Sequence, residues 1–184
     1  MLLSRLLTGL PVEIRRDADV TGFGPLTMTA EGLLHYFIDP RFEGQLQALS
    51  GTRSILTTPA LAQTIPAAFG LALCDNPKEV FLKAYRLHGE AIEAPAPFAN
   101  EIAPSANIHP RAVIGSHSVR IGANVTIGAN AIVQERVVIE DDAVIGANSV
   151  LGGDGFEVGV VDGRQIVVPH FGSVLIRRGA VIKS

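Results

Sequence analysis

The segment Ile121-Gly-Ala-Asn-Val-Thr-Ile127-Gly-Ala-Asn-Ala-Ile-Val133 places an aliphatic residue at every sixth position. This spacing extends over residues 102–156, with one extra residue between Ile114 and Ile121. The aliphatic positions are Ile102, Ile108, Ile114, Ile121, Ile127, Val133, Ile139, Ile145 and Leu151. A period of six is the signature of a parallel β-helix built from hexapeptides. Neither the 3.6-residue period of an α-helix nor the two-residue period of a strand produces it.

Each hexapeptide is expected to form one short strand and one turn, and three of them to close one triangular coil. The aliphatic residue points inward, and we expect Ile108, Ile114, Ile127, Ile139 and Ile145 to be almost fully buried. A small or short-branched residue four positions later is predicted to point inward as well, because a corner of the coil has no room for a larger one; these are Ala106, Ala112, Ser118, Val125, Ala131, Val137, Ala143 and Ser149. About three coils are predicted. A β-sandwich is disfavoured because nine aliphatic residues are in phase.

Glycine and asparagine recur in the predicted turns, where the backbone often needs a positive φ that both residues tolerate. The glycines that follow the aliphatic position are Gly115, Gly122, Gly128 and Gly146. The asparagines are Asn107, Asn124, Asn130 and Asn148, of which the last three are predicted to lie at corners.

The six-residue register lapses after Leu151. Residues 158–168 are predicted to form a hairpin around Asp162-Gly163. The register returns at Ile176, with Ala180 four positions later, and again at Ile182. A β-helix that stops there would leave an open parallel edge, so we expect the chain to be a truncated form of a longer protein.

Residues 1–98 show strands that alternate with helices, which predicts a small α/β domain. An amphipathic helix is expected over residues 2–9, and strands at residues 12–15, 33–38, 54–57 and 69–74. A further helix is expected to run from Pro77, capped by Asn76, to about Leu87, with Leu87 facing inward. Residues 91–98 are rich in Pro and Ala and are interpreted as a linker.

The formal net charge of −3 argues against a nucleic-acid-binding protein. The single cysteine, Cys74, excludes an intramolecular disulfide and indicates a reducing compartment. Its apolar neighbours favour a buried thiol with a structural role. No run of about 18 apolar residues occurs, so a transmembrane helix is not predicted.

The chain resembles the UDP-3-O-(3-hydroxyacyl)glucosamine N-acyltransferases of lipid A biosynthesis over nearly its whole length. Beyond the order of the segments, the resemblance depends on four motifs: Tyr36-Phe-Ile-Asp39-Pro40-Arg41-Phe42, Asn76-Pro77, Ile102-Ala-Pro-Ser-Ala106 and Gly153-Asp-Gly-Phe156. It implies an α/β domain at residues 1–98, followed over residues 99–184 by a left-handed parallel β-helix with an inserted loop at about 152–174.

The resemblance also implies an activity and partners. Such enzymes transfer a 3-hydroxyacyl chain from acyl carrier protein to the 2-amine of a UDP-3-O-acylglucosamine. A cytoplasmic homotrimer with active sites between subunits is implied, with no cofactor. The family stacks uracil between two aromatics beside an Asn-Pro pair, which assigns substrate binding to Tyr36, Asp39 and Phe42. Asp39 stands where the family has Asn, and an ionised carboxylate only accepts hydrogen bonds.

The family's base is a histidine in a later coil, which this chain lacks, so the catalytic residue stays unassigned. The chain has His35, His88, His109, His117 and His170. His109 and His117 are expected to be solvated side chains on turns. His170 follows Pro169 and is the first candidate if one of the five acts as a base.

Other classes of protein stay open. Zinc carbonic anhydrases also use hexapeptides, but the histidine spacing here does not match and no second cysteine exists, so a metal site is not predicted. Gly152-Gly-Asp-Gly155 is not followed by the Lys-Ser/Thr of a phosphate loop. A different sugar-nucleotide N- or O-acyltransferase is one alternative. A non-catalytic uridine-nucleotide-binding or assembly module is another.

Overall fold

A computed structural model of the chain describes residues 1–153 and 155–183. The chain divides into two units, which are described separately. The N-terminal unit contains residues 1–93 and 156–169. The β-helix unit contains residues 94–155 and the chain from residue 170 onward. Within the described residues, no helix has both the length and the apolar character needed to cross a bilayer.

The N-terminal unit is built on one five-stranded sheet. Its strands are β1 (Glu13–Arg16), β2 (Gly22–Phe23), β3 (Leu33–Phe37), β4 (Ser54–Thr57) and β5 (Gly70–Leu73). The order across the sheet is β1-β5-β4-β3-β2. Strands β2 to β5 run parallel, and β1 pairs antiparallel with β5. The helices are α1 (Leu3–Leu6), α2 (Glu43–Ala48) and α3 (Pro77–Glu93), with 3₁₀ turns at Pro40–Phe42 and Pro59–Thr64.

Alternation along the strands gives the sheet two apolar faces, because successive side chains point to opposite sides. Leu34 and Leu56 belong to the core that α1 and α3 cover. Phe37 and Ile55 belong to the core that Leu46 of α2 covers. The buried free cysteine, Cys74, lies in the first of these cores, and burial raises the pKa of its thiol to about 11.

Two helix predictions are wrong at their ends. The predicted helix at 2–9 is only α1, and the chain takes a positive φ of 82° at Gly9. Helix α3 continues to Glu93, so the predicted linker begins later than residue 91. Leu87 is 65% exposed instead of inward-facing. The buried residues of α3 include Val80 and Ala84, which pack toward the sheet.

The β-helix unit consists of short strands stacked in three parallel sheets. Over residues 101–151 the strands are β6 (Glu101–Ile102), β7 (Asn107–Ile108), β8 (Val113–Ile114), β9 (Val119–Ile121), β10 (Thr126–Ile127), β11 (Ile132–Val133), β12 (Val137–Ile139), β13 (Val144–Ile145) and β14 (Val150–Leu151). After a hairpin of β15 (Val158–Val161) and β16 (Arg164–Val167) come β17 (Val174–Ile176) and β18 (Val181–Ile182). The sheets are β6-β9-β12-β17, β7-β10-β13-β18 and β8-β11-β14. This arrangement fits a left-handed β-helix.

The hairpin prediction is confirmed, with Asp162 and Gly163 both at positive φ, as a tight hairpin turn requires. The hairpin belongs to the N-terminal unit. Its Val161 and the following Val168 pack on Leu82 of α3. Glu79 accepts a hydrogen bond from the backbone N–H of Asp162 at 3.1 Å, and Lys83 donates to the Asp162 carboxylate at 2.7 Å.

The predicted interior is confirmed for Ile127, Ile139 and Ile145, which are at most 1% exposed. The prediction is wrong for Ile108 and Ile114, which are only partly buried. Their strands, β7 and β8, each pair with a single neighbouring strand. These residues therefore lie at one end of the stack, where a second coil does not cover them.

The corner positions also recur every six residues, with φ between 57° and 63° at Ser118, Asn124, Asn130, Arg136, Asp142 and Asn148. The corner prediction is therefore confirmed for Asn124, Asn130 and Asn148. The expectation that Asn107 lies in a turn is wrong, because this residue lies in strand β7. The prediction of an inward-pointing small residue is wrong for Ser118. The extra residue after Ile114 moves Ser118 to a corner, and the fully buried Val119 takes the inward place.

The glycines that follow the aliphatic positions have a different role from the predicted one. Gly115, Gly122, Gly128 and Gly146 do not take a positive φ. Instead, each lies tightly against the next coil. A Cβ on Gly128 would lie 2.6 Å from the backbone nitrogen of Ala147. Glycine is needed at these sites because coils about 4.8 Å apart leave no room for a methyl group there.

Candidate functional site

Three parallel strands of the N-terminal unit end in the same kind of sequence. Strand β3 is followed by Asp39-Pro40, β4 by Thr58-Pro59 and β5 by Asn76-Pro77. Each proline begins a helical segment, for which its fixed φ is well suited. Because β3, β4 and β5 are neighbours, these turns meet at one edge of the sheet. The carboxyl edge of parallel strands is where open sheets of this kind bind ligands.

Asp39 is held by its own turn. Its carboxylate accepts a hydrogen bond from the backbone N–H of Arg41 at 2.9 Å and pairs with the Arg41 guanidinium at 2.6 Å. Hydrogen bonds from Arg41 hold the pKa of Asp39 below its usual range, and Asp39 raises the pKa of Arg41. Asp39 therefore stays ionised near neutral pH, while the Arg41 side chain is 85% exposed and able to meet an anionic ligand.

The Tyr36 side chain points to the face of the sheet that α1 and α3 cover, whereas Phe42 lies at the start of α2, which covers the other face. The Tyr36 ring is partly buried and meets Phe81 of α3 edge-on, with centroids 5.3 Å apart. Phe42 is 46% exposed, at the start of the helix that covers the other face. Among the described residues, no ring contact joins the two. Uracil stacking between them stays a prediction.

The other two turns were not recognised as part of this edge from the sequence. Asn76 was predicted as a helix cap and belongs to one motif of the resemblance. The cap is confirmed, because its Oδ1 accepts from the backbone N–H of Glu79 at 3.3 Å. Thr58 had no predicted role. The signal that would have found both is the polar residue followed by proline after each buried strand.

An open groove of about 810 Å³ lies elsewhere on the N-terminal unit. Its lining includes Arg16, Gln47, Gln63 and Pro66, but none of Tyr36, Asp39 and Phe42. The Arg16 guanidinium donates to the carbonyls of Phe69 at 2.8 Å and Pro66 at 3.1 Å, so its role is to hold the loop. The groove does not coincide with the predicted nucleotide site.

The β-helix unit carries a polar cluster at one turn. His117 Nδ1 lies 3.0 Å from the Ser118 hydroxyl, and Glu135 of the next coil accepts from the Ser116 N–H at 3.2 Å. Backbone hydrogen bonds, from its own N–H first and then from Ser116, lower the pKa of Glu135, with a smaller contribution from His117. The imidazole is exposed, as predicted, and has a carboxylate nearby.

His170 lies directly against Gly155 of the Gly-Asp-Gly-Phe motif. A Cβ on Gly155 would come within 2.6 Å of the His170 ring. His170 is exposed, and Asp154 of the same motif lies outside the described residues.

The remaining histidines are less suited to catalysis. His109 is exposed, and its Nδ1 accepts from the backbone N–H of Arg111 at 3.1 Å. His88 lies within helix α3 and is half-buried. His35 is fully buried.

Comparison with known proteins gives one family match. Residues 118–153, which contain strands β9 to β14, match the family described as "Bacterial transferase hexapeptide (six repeats)". No curated protein matches the chain. The match covers the coils with the most completely buried interior. It supports the broad family of hexapeptide acyltransferases and, with it, an acyltransferase-type function for this chain.

Proposed function

We propose that this chain acts in the transfer of a 3-hydroxyacyl group from acyl carrier protein to the 2-amine of a UDP-3-O-acylglucosamine, as in lipid A biosynthesis. The main support for acyl transfer is the match of residues 118–153 to the hexapeptide transferase family. The sugar-nucleotide part depends on the resemblance of residues 36–42. Their position at the carboxyl edge of a parallel sheet supports it.

The chemistry requires one proton transfer. The amine nitrogen attacks the thioester carbonyl and forms an amide, a base takes the proton from nitrogen, and the carrier leaves as a thiol that receives a proton. A histidine suits this role near neutral pH. His170 is the first candidate in this chain, and His117 beside Glu135 is the second. Because the family's own base is not found, we expect little or no transfer by these 184 residues alone.

We also propose that the chain associates as a homotrimer. The outward face of β8-β11-β14 supports association, because Val113, Ile132 and Val150 are in register across it and are 58%, 36% and 55% exposed. A row of adjacent exposed apolar side chains is typical of an interaction surface. Light scattering that gives a clean monomer would contradict the trimer.

Two alternative functions remain. One is a different sugar-nucleotide N- or O-acyltransferase with the same architecture. The other is a non-catalytic module that binds a uridine nucleotide, which the exposed Arg41 guanidinium favours since it can meet a phosphate without any catalytic base.

The experiment measures binding and transfer separately. UDP-N-acetylglucosamine is titrated into the wild-type chain, a Tyr36→Ala, Phe42→Ala double variant, and Phe156→Ala as a control, because Phe156 is 94% exposed and lies outside residues 36–42. We expect weak binding by the wild type and the control, and loss of it in the double variant. Unchanged binding in the double variant would exclude stacking. Transfer from acyl carrier protein is then assayed, and full activity would show that a base is present in this chain.

A further inference from the structure

Arg53 is a buried cation that has no carboxylate partner among the described residues. The residue directly precedes β4 and is 1% exposed. One guanidinium nitrogen, Nη2, donates to the carbonyl of Thr29 at 2.6 Å. Nε and Nη1 have no hydrogen-bond partner among residues 1–153 and 155–183, and no ion pair in that part of the chain includes Arg53. A guanidinium keeps its charge in proteins, so its burial without a counter-charge is strongly unfavourable.

His35 lies on the same side of the sheet. In the β3–β4 pairing, His35 is opposite Ile55, which places Arg53 diagonally across from it with side chains on one face. The strand spacing and rise per residue put the two Cα atoms about 8 Å apart. The positive charge of Arg53 acts on the imidazole: burial lowers the pKa of His35, and the Arg53 charge lowers it further.

The hydrogen bonding of His35 determines which of its nitrogens carries the proton. Nδ1 lies 2.9 Å from the carbonyl oxygen of Gly24, which can only accept, so Nδ1 donates. In the neutral ring Nε2 is then a lone-pair acceptor. This atom is also buried and has no partner among the described residues.

Together the two side chains present positively charged N–H donors and one acceptor. A ligand that satisfies both must carry a negative charge and also donate a hydrogen bond. Chloride and nitrate have no hydrogen to donate, and water has no charge. A small oxyanion that keeps one hydroxyl group, such as hydrogen carbonate, meets both requirements.

We propose that Arg53 and His35 bind a small hydroxyl-bearing monoanion of the hydrogen carbonate class inside the N-terminal unit. Its oxygens accept from Nε and Nη1 of Arg53, and its hydroxyl donates to Nε2 of His35. The loop between β2 and β3 supplies the Gly24 and Thr29 carbonyls that hold the two side chains. This site is separate from the proposed acyl transfer and does not depend on it.

The test compares hydrogen carbonate with nitrate, a planar monoanion without a hydroxyl. The full chain is unfolded thermally in sealed samples at pH 8 and constant ionic strength, and ¹³C-labelled hydrogen carbonate is titrated in parallel by NMR. We expect saturable binding of hydrogen carbonate that is at least about tenfold tighter than binding of nitrate. Only hydrogen carbonate can donate a hydrogen bond to the buried Nε2 of His35. Equal effects of the two salts, or absence of saturable binding to the wild type, would overturn the proposal.

Variants assign the effect to the two side chains. Arg53→Met removes the charge and keeps much of the side-chain length, and it should abolish hydrogen carbonate binding. If Arg53→Met does not fold, Arg53→Lys replaces it in the test and should weaken binding. Arg15→Met is the control, because that side chain is 56% exposed and pairs with Glu13. His35→Phe should remove the preference over nitrate. Binding that survives in both Arg53 variants would overturn the proposal.

Discussion

The imidazole of His170 lies against Gly155, at a distance that only glycine permits: a Cβ there would be 2.6 Å from Cε1 and 2.8 Å from Nε2 of the ring. The contact joins the Gly-Asp-Gly-Phe motif to the histidine that is the first candidate for the base. A motif glycine thus determines where an exposed imidazole can lie.

We predict that Gly155→Ala displaces the His170 ring without unfolding the chain, because an exposed side chain is free to move away. NMR should show a changed His170 Cε1–H chemical shift, with little change in Tm. If His170 acts in transfer, Gly155→Ala and His170→Asn should both lower any residual activity, the latter by about 10²–10⁴-fold. Gly172→Ala is the control, since none of the described residues lies within 4 Å of its added Cβ. An unmoved His170 resonance would contradict the contact.

Gly128→Ala should destabilise the β-helix unit. The added Cβ would meet the backbone nitrogen of Ala147 at 2.6 Å, and a backbone atom in a paired coil cannot move away as a side chain can. Overpacking of this kind costs about 1–3 kcal/mol. Urea unfolding measures the loss, and Gly172→Ala should change stability by less than about 0.5 kcal/mol. Equal urea midpoints for Gly128→Ala and Gly172→Ala would show that neighbouring coils can move apart to make room for the methyl group.

The buried His35 should make the chain less stable in mild acid. Burial, and then the charge of Arg53, lower the pKa of His35 below its ordinary value of 6.5. As the pH falls below about 6.5, the unfolded chain takes up a proton that the folded chain does not, so the free energy of unfolding decreases. The stabilising contribution is complete above about pH 6.5. Urea midpoints at pH 7.5 and 5.5 in carbonate-free buffer should differ more in the wild type than in His35→Gln, and the same dependence in both would exclude His35 as its source.

Asp39→Asn should improve binding of UDP-N-acetylglucosamine. Asparagine is as good a helix cap as aspartate, so the turn should keep its shape. The change adds a hydrogen-bond donor and removes a negative charge near the ligand's phosphates. One added hydrogen bond contributes about 0.5–1.5 kcal/mol, or about two- to tenfold in Kd by calorimetry. Asp39→Ala, which removes the cap, is the control, and weaker binding by Asp39→Asn would place the nucleotide elsewhere.

The fold of the β-helix unit could be predicted because aliphatic residues recur at every sixth position of the sequence. Ile127, Ile139 and Ile145 are buried as the period requires. Ile108 and Ile114 are less buried because periodicity does not tell where the stack of coils ends. Ser118 was misplaced because an inserted residue shifts every later position by one. Gly128 was recognised as special, but its close approach to the next coil depends on the distance between coils and not on local sequence.

The candidate site was less predictable. Asp39 was assigned through the resemblance and Asn76 as a helix cap, but their common edge depends on the order of β3, β4 and β5, which residue patterns do not specify. Arg53 and His35 read as ordinary polar residues within apolar segments. Only their burial distinguishes them.

The hairpin at residues 158–167 affects how this chain folds during its synthesis on the ribosome. The N-terminal unit needs residues 156–169 to cover Leu82, yet residues 94–155 are made first. At about 5–20 residues per second, the interval between synthesis of residue 93 and of residue 169 is about 4–15 s. During that time Leu82 and its neighbours on α3 lack their cover, while the first β-helix coils emerge. The nascent chain therefore holds an incomplete first unit until Val161 and Val168 are synthesised.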